Sequence, residues 1–445
     1  MLADSEIRRI IETALAVSKA SETEITIFEG DSSLTRFANN EIHQNVTERD
    51  ASLLVRVVFG KKVGVASLNR VDEAGVRLVV ERASELARFQ VDNPDYSGMP
   101  PVLPVTKVNG VAAGTVAFGP GRRAAAVGVV VRRAMEHGLV AAGAFSTSMD
   151  RVTLANSHGV HLQHESTDAN LNTVVMSDSS SGFGDHTAMD ASEIDAEAIA
   201  NRAVRKALDG QNPQALPSGD YTVVLEPPAV NDIVDFLAYE GFGAQAVQEE
   251  RSFMAGRLGQ QVVGPNITVW DDALAADTIP MPFDYEGVPK QRVALITNGV
   301  AIGPVYDMAT AVKEGKQSTG HALPAGNTFG PMPLHMHLAP GDLSDAGLVA
   351  GVKRGVLVTR FWYTRTVHPL TVTVTGMTRD GTFLIEDGTI VAPVRNLRFT
   401  QGYLEALRNV EAIGRTTSLQ REFGGGNRVP SLRINNWHFT GTTEH

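Results

Sequence analysis

The second half of the sequence consists mainly of short β-prone runs that are separated by turn-forming dipeptides. Asn298-Gly299, Asp380-Gly381 and Asp387-Gly388 each stand between two such runs. Asn-Gly and Asp-Gly are typical of two-residue hairpin turns, because these residues tolerate the positive φ that such turns require. The pattern predicts an antiparallel sheet that curls toward a barrel.

The first half of the sequence mixes helical and strand patterns. An amphipathic opening helix is followed by a predicted strand meander with turns at Asn39-Asn40 and at residues 60–62. Further helical segments, one of them over residues 119–138, alternate with more strands. The segment 211–220, which contains proline and glycine, is the best linker candidate. We therefore expect an α+β protein with a mixed domain over residues 1–215 and a β-rich domain over residues 216–445.

The composition argues against several functional classes. The formal net charge of −11 disfavours direct binding to nucleic acid, which needs a basic surface. The chain has no cysteine, so disulfides, thiolate metal ligands and cysteine nucleophiles are excluded together. The N-terminus lacks the apolar core of a signal peptide, and the apolar runs are shorter than the roughly 18 residues that span a bilayer. We expect a cytoplasmic protein without membrane association.

Glu240 lies inside a helix-like stretch over residues 235–250 and is followed by Gly241 and Gly243. Each glycine weakens a regular helix by about 1 kcal/mol relative to alanine, which indicates a kink or a close backbone approach. A glutamate in a helix is commonly exposed or salt-bridged. The alternative is a role in contacting a bound peptide.

An ordered set of phrases resembles the TldD/PmbA family, whose PmbA-type members are also called TldE. Phe283-Asp284-Tyr285-Glu286-Gly287 matches the family's F-D-x-E-G phrase, and Thr319-Gly320-His321 follows it. Residues 385–390 together with Pro393-Val394 match a later hairpin phrase of the family. In the first half, "RFANNEIHQ" and "LANSHGV" resemble the family's N-terminal phrases, so that the resemblance covers nearly the whole chain.

This resemblance implies a two-domain protein that pairs as a dimer around a cavity. The TldD-type subunit resembles a metallopeptidase whose metal is held by an H-E-x-x-x-H helix and by a cysteine near the C-terminus. Such pairs act on small or unfolded peptides. An older label connects the family with the modulation of DNA gyrase.

The metal-binding positions of the family are degenerate in this chain. The two histidine positions correspond to Tyr239 and Ala244, and the cysteine position falls near Phe423-Gly424. Alanine offers no ligand atom, and tyrosine is not among the usual zinc ligands. Glu240 alone would contribute general-base catalysis of order 10²–10⁴-fold, far less than peptide hydrolysis requires. The resemblance is therefore closest to the TldE-type members that lack metal ligands.

The other candidate site residues come from the matched phrases and from one histidine pair. Glu240, Asp284, Glu286 and His321 are candidates for contacts with a peptide or a cavity. His335 and His337 stand two residues apart, so on a strand they would share one face. Together with His321 they define an alternative, relocated zinc site.

We predict a TldE-like subunit without metal, cofactor or peptidase activity of its own. We expect it to form a homodimer, or a heterodimer with a TldD-type subunit, in the processing or degradation of small unfolded peptides. Two alternatives stay open at this point. One is an active metallopeptidase with the relocated histidine site, and the other is a stand-alone peptide-binding protein without enzymatic activity.

Overall fold

The first half of the chain forms one antiparallel sheet. The computed structural model describes residues 1–422 and 424–443. The strands of this half are β1 (Glu22–Ala38), β2 (Glu41–Phe59), β3 (Lys62–Leu68), β4 (Val140–Asn156), β5 (His161–Met176) and β6 (Ser181–Ala188). They pair in the order β3-β2-β1-β4-β5-β6, and every neighbouring pair is antiparallel. The predicted meander is therefore present.

Helices cover one face of this sheet. They are α1 (Asp4–Val17), α2 (Glu73–Phe89), α3 (Ala113–Val116), α4 (Pro120–Met135) and α5 (Ala196–Asp209), with a 3₁₀ turn at Ala191–Glu193. Helices α1 and α2 share an apolar cluster with Ile27 of β1, whereas α4 and α5 share another with Phe37 of β1. Ile27 and Phe37 are an even number of residues apart, so both clusters lie on the same face. The opposite face is left for the second half of the chain.

The second half contains one branched sheet and several short helices. Its strands are β7 (Gly219–Leu225), β8 (Val269–Asp271), β9 (Val293–Thr297), β10 (Val300–Ala301), β11 (Met336–Leu338), β12 (Arg354–His368), β13 (Thr373–Glu386), β14 (Thr389–Pro393), β15 (Leu397–Gly402), β16 (Val410–Glu422) and β17 (Gly425–Thr442). Its helices are α6 (Pro227–Leu237), α7 (Ala244–Gln248), α8 (Met308–Lys313), α9 (Asp345–Ala350) and α10 (Tyr403–Arg408), with a 3₁₀ turn at Pro369–Thr371. In the parts of the chain that the structure describes, no helix has the length and apolar character needed to cross a membrane.

The predicted antiparallel barrel is only partly correct, because this second sheet is mixed and forms a partial ring. Strands β17, β15, β13, β12 and β7 pair in that order, and β7 pairs again with β17. The other strands branch from this ring. Two pairings are parallel, β7 with β12 and β11 with β17. Both join strands that are distant in sequence, whereas turn dipeptides predict only the direction of strands that follow each other directly.

The three turn dipeptides have different outcomes. Asn298-Gly299 joins β9 to β10, and Asp387-Gly388 joins β13 to β14, with positive φ at all four residues. Asp380-Gly381, in contrast, lies inside β13, where the pairing with β12 shifts register. The predicted hairpin at this position is therefore wrong, and the dipeptide forms a bulge. Asp380 is buried there and pairs with Arg360 of β12.

The two halves are joined by a buried ion cluster. Arg56 of β2 pairs with Glu24 of β1 at 2.8 Å and with Glu286 of the second half at 3.1 Å. The side chain of Glu24 is 2% exposed. The ring of Phe28 contacts the ring of Tyr285 beside this cluster, with centroids 5.8 Å apart. The free face of the first sheet thus packs on the turn around residue 286.

The predicted linker follows α5 and leads into β7. Gln214 bonds to the region after β14, because its N–H donates to Pro393 O and its C=O accepts from Arg395 N–H. The segment is therefore attached to the second half by backbone hydrogen bonds. The domain boundary at residue 215 stays a prediction.

Replacing Arg56 by methionine should lower the free energy of unfolding by about 3–5 kcal/mol, because it leaves two buried carboxylates without their cation. Urea denaturation, followed by circular dichroism, measures this loss. The control is Arg49→Met, which removes the exposed ion pair of Arg49 with Asp31 and should cost less than about 1 kcal/mol. Equal losses in the two variants would contradict a special role for the buried cluster.

Candidate functional site

The helix-like stretch around Glu240 is not one continuous α-helix. Helix α6 ends at Leu237, residues Ala238–Phe242 form a π-helical turn, and α7 begins at Ala244. A Cβ atom at Gly241 would lie 2.0 Å from the Phe253 ring. A Cβ atom at Gly243 would lie 2.4 Å from Pro331 O. The two glycines therefore permit close approaches that any other residue would prevent.

Glu240 is buried in this turn, with 8% of its surface exposed. Its Oε1 accepts a hydrogen bond of 2.5 Å from the Thr366 hydroxyl on β12. No described lysine, arginine or histidine nitrogen lies within 4.0 Å of its carboxylate, so the expected exposed or salt-bridged state is not observed. The glutamate is held by a neutral donor.

A cavity of about 280 Å³ opens beside Glu240. Its walls include Tyr239, Arg251, Phe329 and Met332. The rings of Tyr239 and Phe329 are in contact, with centroids 5.4 Å apart, and both side chains are more than half exposed. The cavity therefore joins a buried carboxylate to an aromatic rim.

The family's zinc does not fit the residues at these positions. Tyr239 lies at the exposed rim against Phe329, whereas Ala244 is fully buried in a cluster with Tyr306 and Ala311. Of the pair near the family's cysteine position, Phe423 lies outside the described residues, and Gly424 carries no ligand atom. Among the residues that the structure describes, no three histidine, cysteine or acidic side chains are close enough to hold a metal ion.

His321 belongs to a sealed polar network instead of a cavity wall. Its side chain is 0% exposed, and its Nε2 donates to Asp271 Oδ1 at 2.9 Å. Burial and the nearby Lys290 lower the pKa of His321, so its neutral ring accepts a bond from the Thr319 hydroxyl at Nδ1. Burial alone would raise the pKa of Asp271, but its hydrogen bond with His321 and the nearby charge of Lys290 keep that pKa below the usual value.

Asp284 and Glu286 organise the turn that meets the first half of the chain. Asp284 Oδ1 accepts from the backbone N–H groups of Glu286 and Val288, and its Oδ2 accepts from Ala322 N–H. Burial, together with the charge of Glu286, raises the pKa of Asp284 to about 7. Glu286 accepts from Arg56 and from Met308 N–H. Neither carboxylate lies on the wall of the cavity beside Glu240, but Glu286 lines a second cavity of about 220 Å³, next to Arg56 and Met308.

His335 and His337 also have separate surroundings. His335 is fully buried, and its Nε2 donates to Ile279 O at 3.0 Å. His337 is stacked on Trp270, with ring centroids 5.2 Å apart. The two rings therefore contact different neighbours and do not share a described metal site.

The residues that sequence reasoning missed are the partners of the predicted ones. Thr366 is 126 positions from Glu240, Asp271 is 50 from His321, and Arg56 is 230 from Glu286. None of these partners stands in a recognisable motif. Only pairs of residues that vary together among relatives could have pointed to them.

Comparison with known proteins connects the chain with one family along most of its length. Residues 218–441 match the model of the PmbA/TldA metallopeptidase C-terminal domain. Residues 23–87 match domain 1 of the same metallopeptidases, and residues 123–211 match their central domain.

Individual relatives are more distant. An uncharacterised protein of Methanocaldococcus jannaschii is 32% identical over 185 residues, which are 41% of this chain and 44% of that protein. A metalloprotease of Methanothermobacter thermautotrophicus is 27% identical over 264 residues, 56% of each chain. A metalloprotease TldD homologue of Haemophilus influenzae is 26% identical over 52% of this chain and 48% of its own length. The alignments therefore span about half the length of these curated relatives.

Solved structures share the whole fold. TldE from Thermococcus kodakarensis superposes with a TM-score of 0.88 at 21% identity, covering 98% of this chain and 100% of that one. A Thermotoga maritima protein described as a candidate modulator of a DNA gyrase gives the same TM-score and coverage at 19% identity. At these identities the likeness establishes the fold alone.

Replacing Gly241 by alanine should destabilise the protein by about 1–3 kcal/mol, because the new methyl group would overlap the Phe253 ring. Thermal and urea denaturation measure the loss. Gly303→Ala is the matched control, since no atom lies within 4 Å of its added Cβ. The double variant Gly241→Ala/Phe253→Leu should recover part of the loss. A single variant as stable as the control would refute the close-packed turn.

Acid should destabilise the protein partly through His335. Burial lowers the pKa of His335 to about 3, with Lys290 and His321 adding to the effect. Between pH 6.5 and 3 the unfolded chain therefore binds a proton at this ring that the folded chain does not bind. Stability falls as the pH falls through this window, by up to about 1.4 kcal/mol per pH unit.

The variant His335→Gln should reduce that slope in urea denaturation measured from pH 7 to pH 4. The same substitution at the exposed His43 is the control, and we expect it to keep the slope of the parent chain. If His335→Gln also keeps the parent slope, the burial effect on this ring is not what destabilises the protein in acid.

Proposed function

Since the chain belongs to the PmbA/TldD metallopeptidase family, we propose that it is a non-catalytic, TldE-like member of that family. In this proposal it works as one subunit of a dimer in the processing or degradation of small unfolded peptides. It needs no metal and no other cofactor, and it acts in the cytoplasm.

The degenerate metal positions carry this proposal. Metal-assisted hydrolysis needs an ion that polarises the carbonyl group and activates a water molecule. Tyr239 and Ala244 do not offer a pair of metal ligands. Tyr239 lies at an exposed rim, and Ala244 has no ligand atom and is buried in an apolar cluster. Glu240 is bonded to Thr366, and no histidine nitrogen of the described residues lies within 4.0 Å of its carboxylate. These residues are consistent with binding of a peptide and not with its hydrolysis.

An exposed apolar region at the end of β12 supports a subunit contact. Trp362, Tyr363, Val367 and Leu370 are between 37% and 65% exposed. Such groups of exposed apolar side chains commonly mark surfaces that bind another protein. The partner in this proposal is a second copy of the chain or a TldD-type subunit.

The surface charge argues against direct contact with DNA. The net charge of −11 would repel phosphate groups, so any relation to DNA gyrase would pass through a protein or a peptide. Among the proteins compared, the structures from Thermotoga maritima and Bacteroides thetaiotaomicron are described as candidate modulators of DNA gyrase.

The proposal predicts that the purified chain alone contains no stoichiometric zinc and does not cleave casein or an unfolded peptide. Mixed with a relative that carries H-E-x-x-x-H, it should form a stable complex that cleaves the peptide. Metal analysis by mass spectrometry, gel filtration and a cleavage assay measure these outcomes.

Two results would contradict it. Stoichiometric zinc that disappears in His335→Ala or His337→Ala would favour the relocated metal site. A chain that binds peptide and forms no complex, either with itself or with such a relative, would favour the stand-alone peptide-binding protein.

A further inference from the structure

We propose that the cavity beside Glu240 binds one positively charged side chain of a peptide, a lysine ammonium or an arginine guanidinium. This inference rests on the proposed peptide-binding function and adds the chemical class of the group that is recognised. It concerns binding alone.

The first observation is a buried carboxylate without a cation. Glu240 is 8% exposed, and among the described residues the one hydrogen bond to its side chain comes from the Thr366 hydroxyl to Oε1. Its second oxygen makes no hydrogen bond with any described residue, and no described cation lies within 4.0 Å. That oxygen is not one of the fully buried polar atoms that lack a partner, so it is accessible, and a cation that enters the adjacent cavity would pair with it.

The second observation is the aromatic rim of the same cavity. The rings of Tyr239 and Phe329 contact each other at an angle of 56°, and they are 52% and 55% exposed. An ammonium or guanidinium group that passes an aromatic ring is attracted by the negative face of the ring. A cation would therefore be attracted both by the aromatic rings at the rim of the cavity and by the carboxylate of Glu240.

The size of the cavity fits a side chain and not a folded partner. Its volume is about 280 Å³, and its walls also contain Ala246, Pro331 and Met332, which suit the methylene groups of a long side chain. An acidic side chain would be repelled by Glu240, and a short polar one would not reach it.

One arginine also lines the cavity, and its charge is compensated. Arg251 donates from Nε and Nη2 to Glu249 Oε2, at 2.7 and 2.5 Å. Its side chain is about half exposed at the outer edge. The unpaired charge at this place is therefore the carboxylate of Glu240.

The test measures binding of fluorescent peptides to the full chain by anisotropy. The peptides are unstructured, acetylated at the N-terminus and amidated at the C-terminus, and they carry lysine, norleucine or glutamate at one central position. We expect the lysine peptide to bind at least about tenfold more tightly than the norleucine peptide, and the glutamate peptide to bind most weakly.

The variant Glu240→Gln keeps an acceptor for Thr366 and removes the charge. It should bind the lysine peptide as weakly as the norleucine peptide. Glu250→Gln, which removes an exposed carboxylate ten residues away, is the control and should leave the preference unchanged. Phe329→Ala should weaken the lysine peptide about threefold through loss of the rim. Near-UV circular dichroism verifies that each variant is folded.

The possible failures are distinguishable. If none of the peptides binds, the proposed peptide-binding function itself is wrong. If lysine and norleucine peptides bind equally well and Glu240→Gln has no effect, peptide binding stands and the cation site is wrong. If a norleucine peptide with a free N-terminus binds as tightly as the acetylated lysine peptide, the cavity recognises the terminal amine, and the assignment to a side chain is overturned.

Discussion

The buried contact of Arg56 with Glu24 and Glu286 constrains the placement of the two halves. One guanidinium satisfies carboxylates from both halves of the chain, and burial raises the pKa of Glu24 although Arg56 opposes that shift. Such a contact adds little net stability compared with a well-packed apolar core. An arrangement of the two halves without this contact, however, would leave unpaired charges in the interior. The cost of the alternatives therefore favours a single orientation of the first sheet on the turn around residue 286.

This turn connects the interface to the polar interior of the second half. Asp284 caps the turn and also accepts from Ala322 N–H, next to His321. His321 donates to Asp271, and Asp271 accepts from His335 N–H through its other oxygen. These residues form a continuous hydrogen-bonded network inside the second half. Each of these residues from the matched phrases therefore has a structural contact that folding requires.

The local elements could be predicted from the sequence, but the long-range partners could not. Periodicity and turn chemistry predicted the meander of the first half and the turns at Asn298-Gly299 and Asp387-Gly388. Asp380-Gly381 has the same dipeptide chemistry, yet it forms a bulge. The chain continues along β13 at this point, and Asp380 pairs with Arg360 of the neighbouring strand β12. Parallel pairing and the bond from Thr366 to Glu240 join segments far apart in sequence, so no local pattern contains them.

The contrast between positions 239 and 244 has an evolutionary consequence. One side chain is half exposed against Phe329, and the other is sealed against Tyr306 and Ala311. An imidazole at position 244 would have to displace this packed cluster before it could meet a metal ion. Two codon changes would restore the two histidines of the family's motif without restoring the geometry that zinc requires. A metal site at these two positions would therefore need changes in the surrounding packing as well as in the two side chains.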